Sequence, residues 1–292
     1  MFNSIGLIAK RGDVQVKNYL KVVVDFLRER HPDVVIDAPS AQLLPQTDLN
    51  IVANTEALGE RCNLIIIIGG DGTLLQAARL LAKYDVSLLG INLGRLGFLT
   101  DISPLEIEKY LSEILAGRFI KEDRFLIYAQ AYRNEHSLAH CNALNDIAIH
   151  RGCRPHMLTF DTTINGHFVN RQRADGLVVA TPTGSTAYAL SSGGPIVHPS
   201  LNALVMVPIC PHTLSSRPLV IDGDSRIQIT IEPDQTDEIP LSGDGILCQP
   251  LISGDRIVIE KHQYIHLIHP EGHDHYATLR AKLDWSKRVA GK

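Results

Sequence analysis

Asp71 stands between Gly70 and Gly72, after four isoleucines, in the run IIIIGGDGTLL at residues 65–75. An apolar run of this kind is a strand buried on both faces. Gly69, Gly70 and Gly72 at its end can take positive φ and let backbone N–H groups meet an anion with no Cβ in the way, a cradle for phosphate. The helix beginning near Thr73 points its positive end at the same place. A phosphate is stabilised there, and a carboxylate facing that phosphate is not. Asp71 therefore makes chemical sense if it holds a metal, binds a hydroxyl or accepts a proton. The plainer alternative is a tight turn in which Asp71 caps the helix. No Gly-x-x-x-x-Gly-Lys-Ser/Thr occurs, which excludes a Walker loop. Gly90, Gly94 and Gly97 lack the dinucleotide Gly-x-Gly-x-x-Gly spacing, so a dehydrogenase is disfavoured.

Three further stretches carry polar groups suited to a ligand. In ALNDIAIH, Asn145 both donates and accepts, which suits an adenine edge or a pair of ribose hydroxyls, and Asp146 follows it; a strand-start turn is the alternative. In NRQRADG, Arg171 and Arg173 suit a diphosphate and Asp175 suits ribose hydroxyls or an amide; a solvated loop ion pair is the alternative. GLVVATPTGSTAYALSSGG reads as strand, turn and short helix, with Ser185 or Thr186 placed to cap that helix. Asp244-Gly245 is a hairpin turn, and Arg95 is either a phosphate-steering or a surface residue.

The elements that must position these residues change character along the chain. Residues 5–10 read as a buried strand, and Val16, Tyr19, Leu20, Val23, Phe26 and Leu27 recur at helical steps, with Pro32 closing that region. VVID, LIIII and VSLLGIN are further strands, and residues 73–84 and 106–116 further helices, the last capped by Gly117. Strands alternating with helices predict a parallel, Rossmann-like α/β domain over 1–122. From Arg124 the pattern alternates at period two, and Asn165-Gly166 marks a hairpin, so 123–268 is predicted as a β-rich, sandwich-like domain. Residues 269–292 form a helix expected to return to the first domain, because a lone helix must bury its stripe. The ligand site is expected in the cleft between the two domains.

Bulk properties narrow the class. With 28 basic and 32 acidic residues the net charge is −4, which provides no footprint for nucleic acid. No apolar run is long enough to span a bilayer, and the first residues lack a signal pattern. Five cysteines without a Cys-x-x-Cys point to a reducing cytoplasm rather than a disulfide framework. Of thirteen histidines, His262, His266, His269, His273 and His275 cluster near the end. Their spacing matches no helical two-His pair with a third ligand, so they are read as strand or surface residues without a metal.

Taken in order, GGDGTLLQAAR, GINLGRLGFLTD, DGLVVATPTGSTAYALSSGGP, PHTLSSRPLV and the terminal LDWSKR resemble the bacterial NAD kinases. Gly-Gly-Asp-Gly is shared with lipid kinases, whereas the Thr-Pro-Thr-Gly-Ser-Thr-Ala-Tyr stretch is far more specific. The resemblance implies ATP-dependent phosphorylation of the 2′-hydroxyl of the adenosine ribose of NAD, with Mg²⁺ screening the triphosphate. It implies that Asp71 is the proton acceptor, with Gly72 beside the ligand. It also implies that Asn145, Asp146, His156, Arg173, Asp175, Thr186, Ala187, Tyr188, Ala189, Leu190 and Ser191 bind NAD. An ordinary aspartate, of pKa about 3.9, is a feeble base at neutral pH. Asp71 is therefore expected mainly to orient the hydroxyl and to take its proton late. The family more often has Asn-Glu where Asn145-Asp146 stands, and often Gln where Ile246 stands, so that last contact is not carried over. A homodimer or homotetramer is implied, with Arg173 and Asp175 able to reach a neighbouring subunit's ligand. The competing readings are a lipid kinase and a non-catalytic NADP(H)-binding regulator.

Overall fold

A computed structural model describes residues 2–12, 14–31, 33–44, 48–94, 97–152, 156–232 and 238–285. Pro32, Arg95, Cys153 and the last residues of the LDWSKR segment lie outside them. The chain divides into two units, 1–123 with 265–292, and 124–264.

In the first unit, β1 (Ile5–Ala9), β2 (Val34–Asp37), β3 (Asn50–Val52), β4 (Leu64–Ile68) and β5 (Ser87–Ile91) lie parallel in the order β5-β4-β1-β2-β3. Every residue of β4 is buried, as a central strand covered on both faces requires. Helix α1 (Val14–Arg28) buries Val16, Leu20, Val23, Val24 and Leu27 at helical spacing in one cluster with Leu7, Ile66 and Ile91. Helix α4 (Asp71–Leu81) starts two residues before the expected Thr73. Helix α5 (Ile107–Leu115) follows a 3₁₀ turn at Pro104–Glu106, and Gly117, at φ 85°, closes it by donating its N–H to Ile114. Two short helices escaped the periodicity reading, as did the strand β3. Helix α2 (Ala38–Ala41) is capped by Asp37, and α3 (Thr55–Arg61) by Asn54, whose Oδ1 accepts from Ala57 N at 3.0 Å. Asn54 followed by Glu56 was a usable start signal, but seven residues are too few to establish a period.

The second unit is antiparallel. It uses β6 (Phe119–Arg133), β7 (His136–Ala143), β8 (Asp146–His150), β9 (Leu158–Ile164), β10 (His167–Ala174) and β11 (Gly176–Ala180). A 3₁₀ turn (Thr183–Thr186) and α6 (Tyr188–Ser191) follow, then β12 (Ala203–Ile209), β13 (Leu219–Asp222), β14 (Ile227–Ile231), β15 (Ile239–Gly243), β16 (Ile246–Leu251) and β17 (Arg256–Pro270). One sheet runs β13-β12-β11-β8-β15-β16, and the other joins β10, β9, β14 and β17, with β6 pairing β17 and β7. Ile147, Val179, Leu204 and Leu241 from the first meet Ile127, Phe160, Ile229 and Ile257 from the second in one core, which makes this unit a sandwich. Asn165-Gly166 and Asp244-Gly245 both hold positive φ at two successive residues, the backbone of a tight hairpin.

The chain leaves the second unit earlier than the expected 268. His266, Leu267 and Ile268 run parallel to Ser87, Leu88 and Leu89 of β5, so the end of β17 belongs to the first unit, as does α7 (His275–Lys282). No helix among the described residues is long and apolar enough to cross a membrane. Among the described residues, Cys62, Cys141, Cys210 and Cys248 form no disulfide.

Candidate functional site

The Gly-Gly-Asp-Gly turn follows β4 at the carboxyl edge of the parallel sheet. Gly70 is the N-cap of α4 without a side-chain cap, and Asp71 is the first helical residue, so Asp71 does not cap the helix. Its carboxylate turns instead to the loop after β5. Oδ2 accepts from Phe98 N at 2.8 Å, while Oδ1 accepts from Leu99 N at 3.1 Å and from Thr100 Oγ1 at 3.2 Å. Three donors fix the acid, and a carboxylate, with about four lone-pair sites, retains capacity for another hydroxyl. Gly97 completes the clamp: a Cβ there would fall 2.0 Å from Asp71 Oδ1 and 2.4 Å from Thr100 Oγ1.

The cradle differs from expectation in two respects. None of Gly69, Gly70 and Gly72 takes positive φ. Gly69 spends its N–H on Ile91 O at 2.9 Å, and a Cβ there would meet Thr73 Oγ1 at 2.5 Å, so this glycine serves close packing and its N–H does not face an anion. Cβ atoms on Gly70 and Gly72 would meet nothing within 4 Å, which leaves the first turn of α4, with its unused N–H groups, open to approach. A cavity of about 350 Å³ lies along the same sheet edge, lined among others by Lys10, Arg11, Asp37, Thr55 and Thr73. Its exposed Lys10 and Arg11 bring positive charge to the end of β1. Arg95, the other candidate for steering phosphate, lies outside the described residues.

The second unit carries a larger cavity of about 830 Å³. It brings together Asn145, Asp146, Asp175, Ala187 and Tyr188 of the expected residues, with Arg151, Asp244 and Leu247. Asp244 organises this cavity, a role the sequence did not signal beyond its turn. Its carboxylate accepts from the backbone N–H groups of Leu144 at 3.0 Å, Asn145 at 2.8 Å and Asp146 at 3.2 Å, so the hairpin tip holds the start of β8. Across the cavity Asp175 meets Arg151 Nε at 2.9 Å. Arg171 is an ion pair of strand β10, not of a loop, bound to Asp161 at 2.7 Å and Glu232 at 2.8 Å.

The hydroxyl-rich turn is built from within. Thr181 Oγ1 donates to Leu144 O at 2.5 Å, and Thr181 N donates to Asn145 O at 2.9 Å. Buried Arg124 donates to Thr183 Oγ1 at 3.1 Å. Neither Ser185 nor Thr186 caps α6, contrary to expectation. The 3₁₀ turn directs both hydroxyls back to carbonyls three residues earlier, Pro182 O at 2.6 Å and Thr183 O at 3.2 Å. Ala189 is fully buried against Ala148, Val178 and Val205, and therefore packs α6 onto its sheet. Thr186 and Leu190 are half-buried, Ser191, His156 and Arg173 are exposed, and none of the five lines the cavity.

Asp146 is 4% exposed. Burial, reinforced by the Asp244 carboxylate, pushes its pKa up to about 7. The unfolded carboxyl titrates near 3.9, so the folded state holds the proton more tightly. The resulting stabilisation is complete below about pH 4 and is lost as pH rises through about 7. Asp146→Asn, neutral at every pH, escapes that loss. Its urea midpoint without ligand is expected to gain on the parent steadily from pH 4 to pH 7 and then level off. A difference independent of pH would place the charge elsewhere.

The profile of the ATP-NAD kinase N-terminal domain matches residues 5–119, and that of the ATP-NAD kinase C-terminal domain matches residues 144–269. The NAD kinases of Saccharophagus degradans and Marinobacter nauticus are 46% and 47% identical to the chain. Both alignments cover 99% of the chain, with 99% and 98% of the respective relative. Among solved structures, yeast NADH kinase complexed with NADH superposes with a TM-score of 0.90 at 28% identity, over 99% of this chain and 90% of that one. An NAD kinase from Archaeoglobus fulgidus in complex with ATP shares the fold, with a TM-score of 0.73 at 24% identity, over 95% of this chain and 99% of that one.

Proposed function

The chain belongs to the ATP-NAD kinase family, and from that premise we propose that it transfers the γ-phosphoryl group of ATP to the 2′-hydroxyl of the adenosine ribose of NAD, with Asp71 as the residue that aligns the hydroxyl. The observation that carries this reading is the clamp of Phe98, Leu99 and Thr100 on the Asp71 carboxylate. A carboxylate held by three donors accepts one more hydrogen bond without having to reorganise. A hydroxyl that donates to it has its remaining lone pairs free to meet phosphorus in line. Phosphoryl transfer through a loose transition state needs little early deprotonation, so positioning and charge neutralisation supply most of the acceleration. Asp71 takes the proton late, as the O–P bond completes and the alcohol becomes acidic.

ATP approaches the open first turn of α4, where Lys10 and Arg11 meet its phosphates. Mg²⁺ accompanies the triphosphate as part of the substrate and screens its charge. The protein offers it no cage among the described residues: the single trio close enough to hold an ion contains two imidazoles, whereas Mg²⁺ requires oxygen ligands in an octahedral shell. In the 830 Å³ cavity, Asn145, Asp146, Asp175 and Tyr188 supply donors, acceptors and a ring for the dinucleotide. Thr186, Ala187, Leu190 and Ser191 contribute the rim, and Ala189 contributes packing. Arg173, with Asp175, reaches a neighbouring subunit's ligand in a homodimer or homotetramer, and His156 offers a ring N–H to the dinucleotide. The enzyme works in the cytoplasm.

The assay is direct: protein, ATP, Mg²⁺ and NAD, with product read by an NADP-specific dehydrogenase. NADP formation is expected, with none of the ATP consumed when diacylglycerol replaces NAD. Tight NADPH binding without turnover would instead identify a regulator. Gly97→Ala adds a test of the clamp. Its Cβ would displace the Asp71 carboxylate, and a misplacement of about 1 Å is expected to lower kcat by about 100-fold. The NAD Kd should change less than about threefold. Equal losses in both would mean that the loop serves binding rather than alignment.

A further inference from the structure

Two histidines of the C-terminal group, His269 and His273, converge on one carboxylate. His269, at the end of β17, is 1% exposed. Its Nδ1 is in hydrogen-bond contact with Asp101 Oδ2, and His273 Nδ1 reaches the same oxygen at 3.0 Å. The two rings stack with centroids 4.1 Å apart and an interplanar angle of 24°. One ligand atom from each of Asp101, His269 and His273 lies within 4.8 Å of the others. On the far side of the His269 ring, Glu122 Oε2 stands 3.2 Å from Nε2, at ion-pair distance.

Protons alone satisfy this arrangement only as a His269 imidazolium held between the Asp101 and Glu122 carboxylates. Both rings would have to be Nδ1–H tautomers donating into a single carboxylate oxygen. His269 Nε2, sealed from water, would then either face the Glu122 carboxylate as a bare lone pair or carry a second proton toward it, which leaves an imidazolium stacked on the His273 ring. We propose that Asp101, His269 and His273 form a structural zinc site, with Glu122 as the carboxylate that orients His269. A metal on Nδ1 places the only proton of His269 on Nε2, aimed at Glu122. That is the carboxylate–imidazole–metal relay by which ligating histidines are commonly fixed. Two carboxylates balance a divalent charge, and two imidazoles with one carboxylate match zinc while opposing magnesium and calcium. Donor atoms around a tetrahedral zinc stand roughly 3.3 Å apart, so binding the ion requires one imidazole to turn out of the stack until both Nδ1 lone pairs converge on it. Water or hydroxide completes the shell.

The site has a structural consequence within its unit. Asp101 directly follows Phe98, Leu99 and Thr100, the residues that clamp Asp71. His269 and His273 flank the turn after β17. Zinc would pin that turn to the clamp loop. The site itself stands independently of the proposed activity.

The test uses the full chain, stripped with a chelator, reloaded with Zn²⁺ and freed of excess by dialysis. Metal content by mass spectrometry is expected to reach about one zinc per chain, and Co²⁺ in its place is expected to give the strong visible bands of a four-coordinate ion. His273→Ala should hold less than about a fifth of that zinc, and Glu122→Gln should bind about 10–100-fold more weakly. A parent chain that retains less than about a tenth of an equivalent, or a His273→Ala chain that retains as much as the parent, would overturn the assignment. Should His273→Ala fail to fold, the parent's Co²⁺ spectrum decides alone: absence of the visible bands sinks the site.

Discussion

Asp71→Asn is expected to lower kcat by about 10²–10⁴, the range attributed to a positioned acid or base. The affinity for NAD should change far less, because one hydrogen bond of many is altered. The amide keeps the size of the acid but not its acceptor capacity. One face of the carboxylate accepts from Phe98 N and the other from Leu99 N and Thr100 Oγ1. An amide must turn an NH₂ group toward one of these donors, so the clamp loosens as the acceptor for the substrate hydroxyl is lost. Stability should fall by only about 1–3 kcal/mol, the cost of a part-buried donor left unsatisfied. Rapid-quench kinetics beside equilibrium NAD binding separate the two effects. A loss shared equally between kcat and Kd would contradict an aligning role.

Gly184→Ala is expected to have the second largest effect, in the other unit. The added Cβ would sit 2.0 Å from Asn145 O and 2.4 Å from Asn145 C, atoms of backbone that cannot rotate aside. Asn145 is also tied to Asp244 through its N–H and to Thr181 through its carbonyl. The methyl group must therefore push the whole start of β8, and with it Asp146, out of place. A stability loss of about 2–4 kcal/mol is expected from such overpacking. An NAD Kd raised by at least about tenfold should accompany it, equal to about 1.4 kcal/mol. Thermal melting and calorimetric titration check both. A variant that binds NAD as the parent does would show that Asn145 does not contribute to the site.

The legible parts of this protein were those in which one residue type answers one physical demand. Ile65, Ile66, Ile67 and Ile68 had to be a central strand, and the glycines after them had to mark its carboxyl edge. Asn165-Gly166 had to be a hairpin. The clamp on Asp71 was not legible, because Phe98 and Leu99 act through N–H groups that every residue but proline carries, 27 or 28 positions away. Asp244 was readable as a turn residue, but its hold on Leu144, Asn145 and Asp146 depends on β15 lying beside β8, a pairing that no local pattern announces. Arg124 and Arg151 were missed for the same reason. Ala189 was assigned to the ligand by resemblance, while its position in α6 commits it to the core. His269 and His273 gave no metal signal because their third partner, Asp101, is 168 residues from His269.

The most direct test of the account is the crystal structure of the protein with NAD bound, read at one distance. The adenosine-ribose 2′-oxygen is predicted to lie about 2.6–3.2 Å from an Asp71 carboxylate oxygen, with Phe98, Leu99 and Thr100 still bound to that acid. A ribose seated elsewhere, with Asp71 bound to its loop alone, would contradict the account.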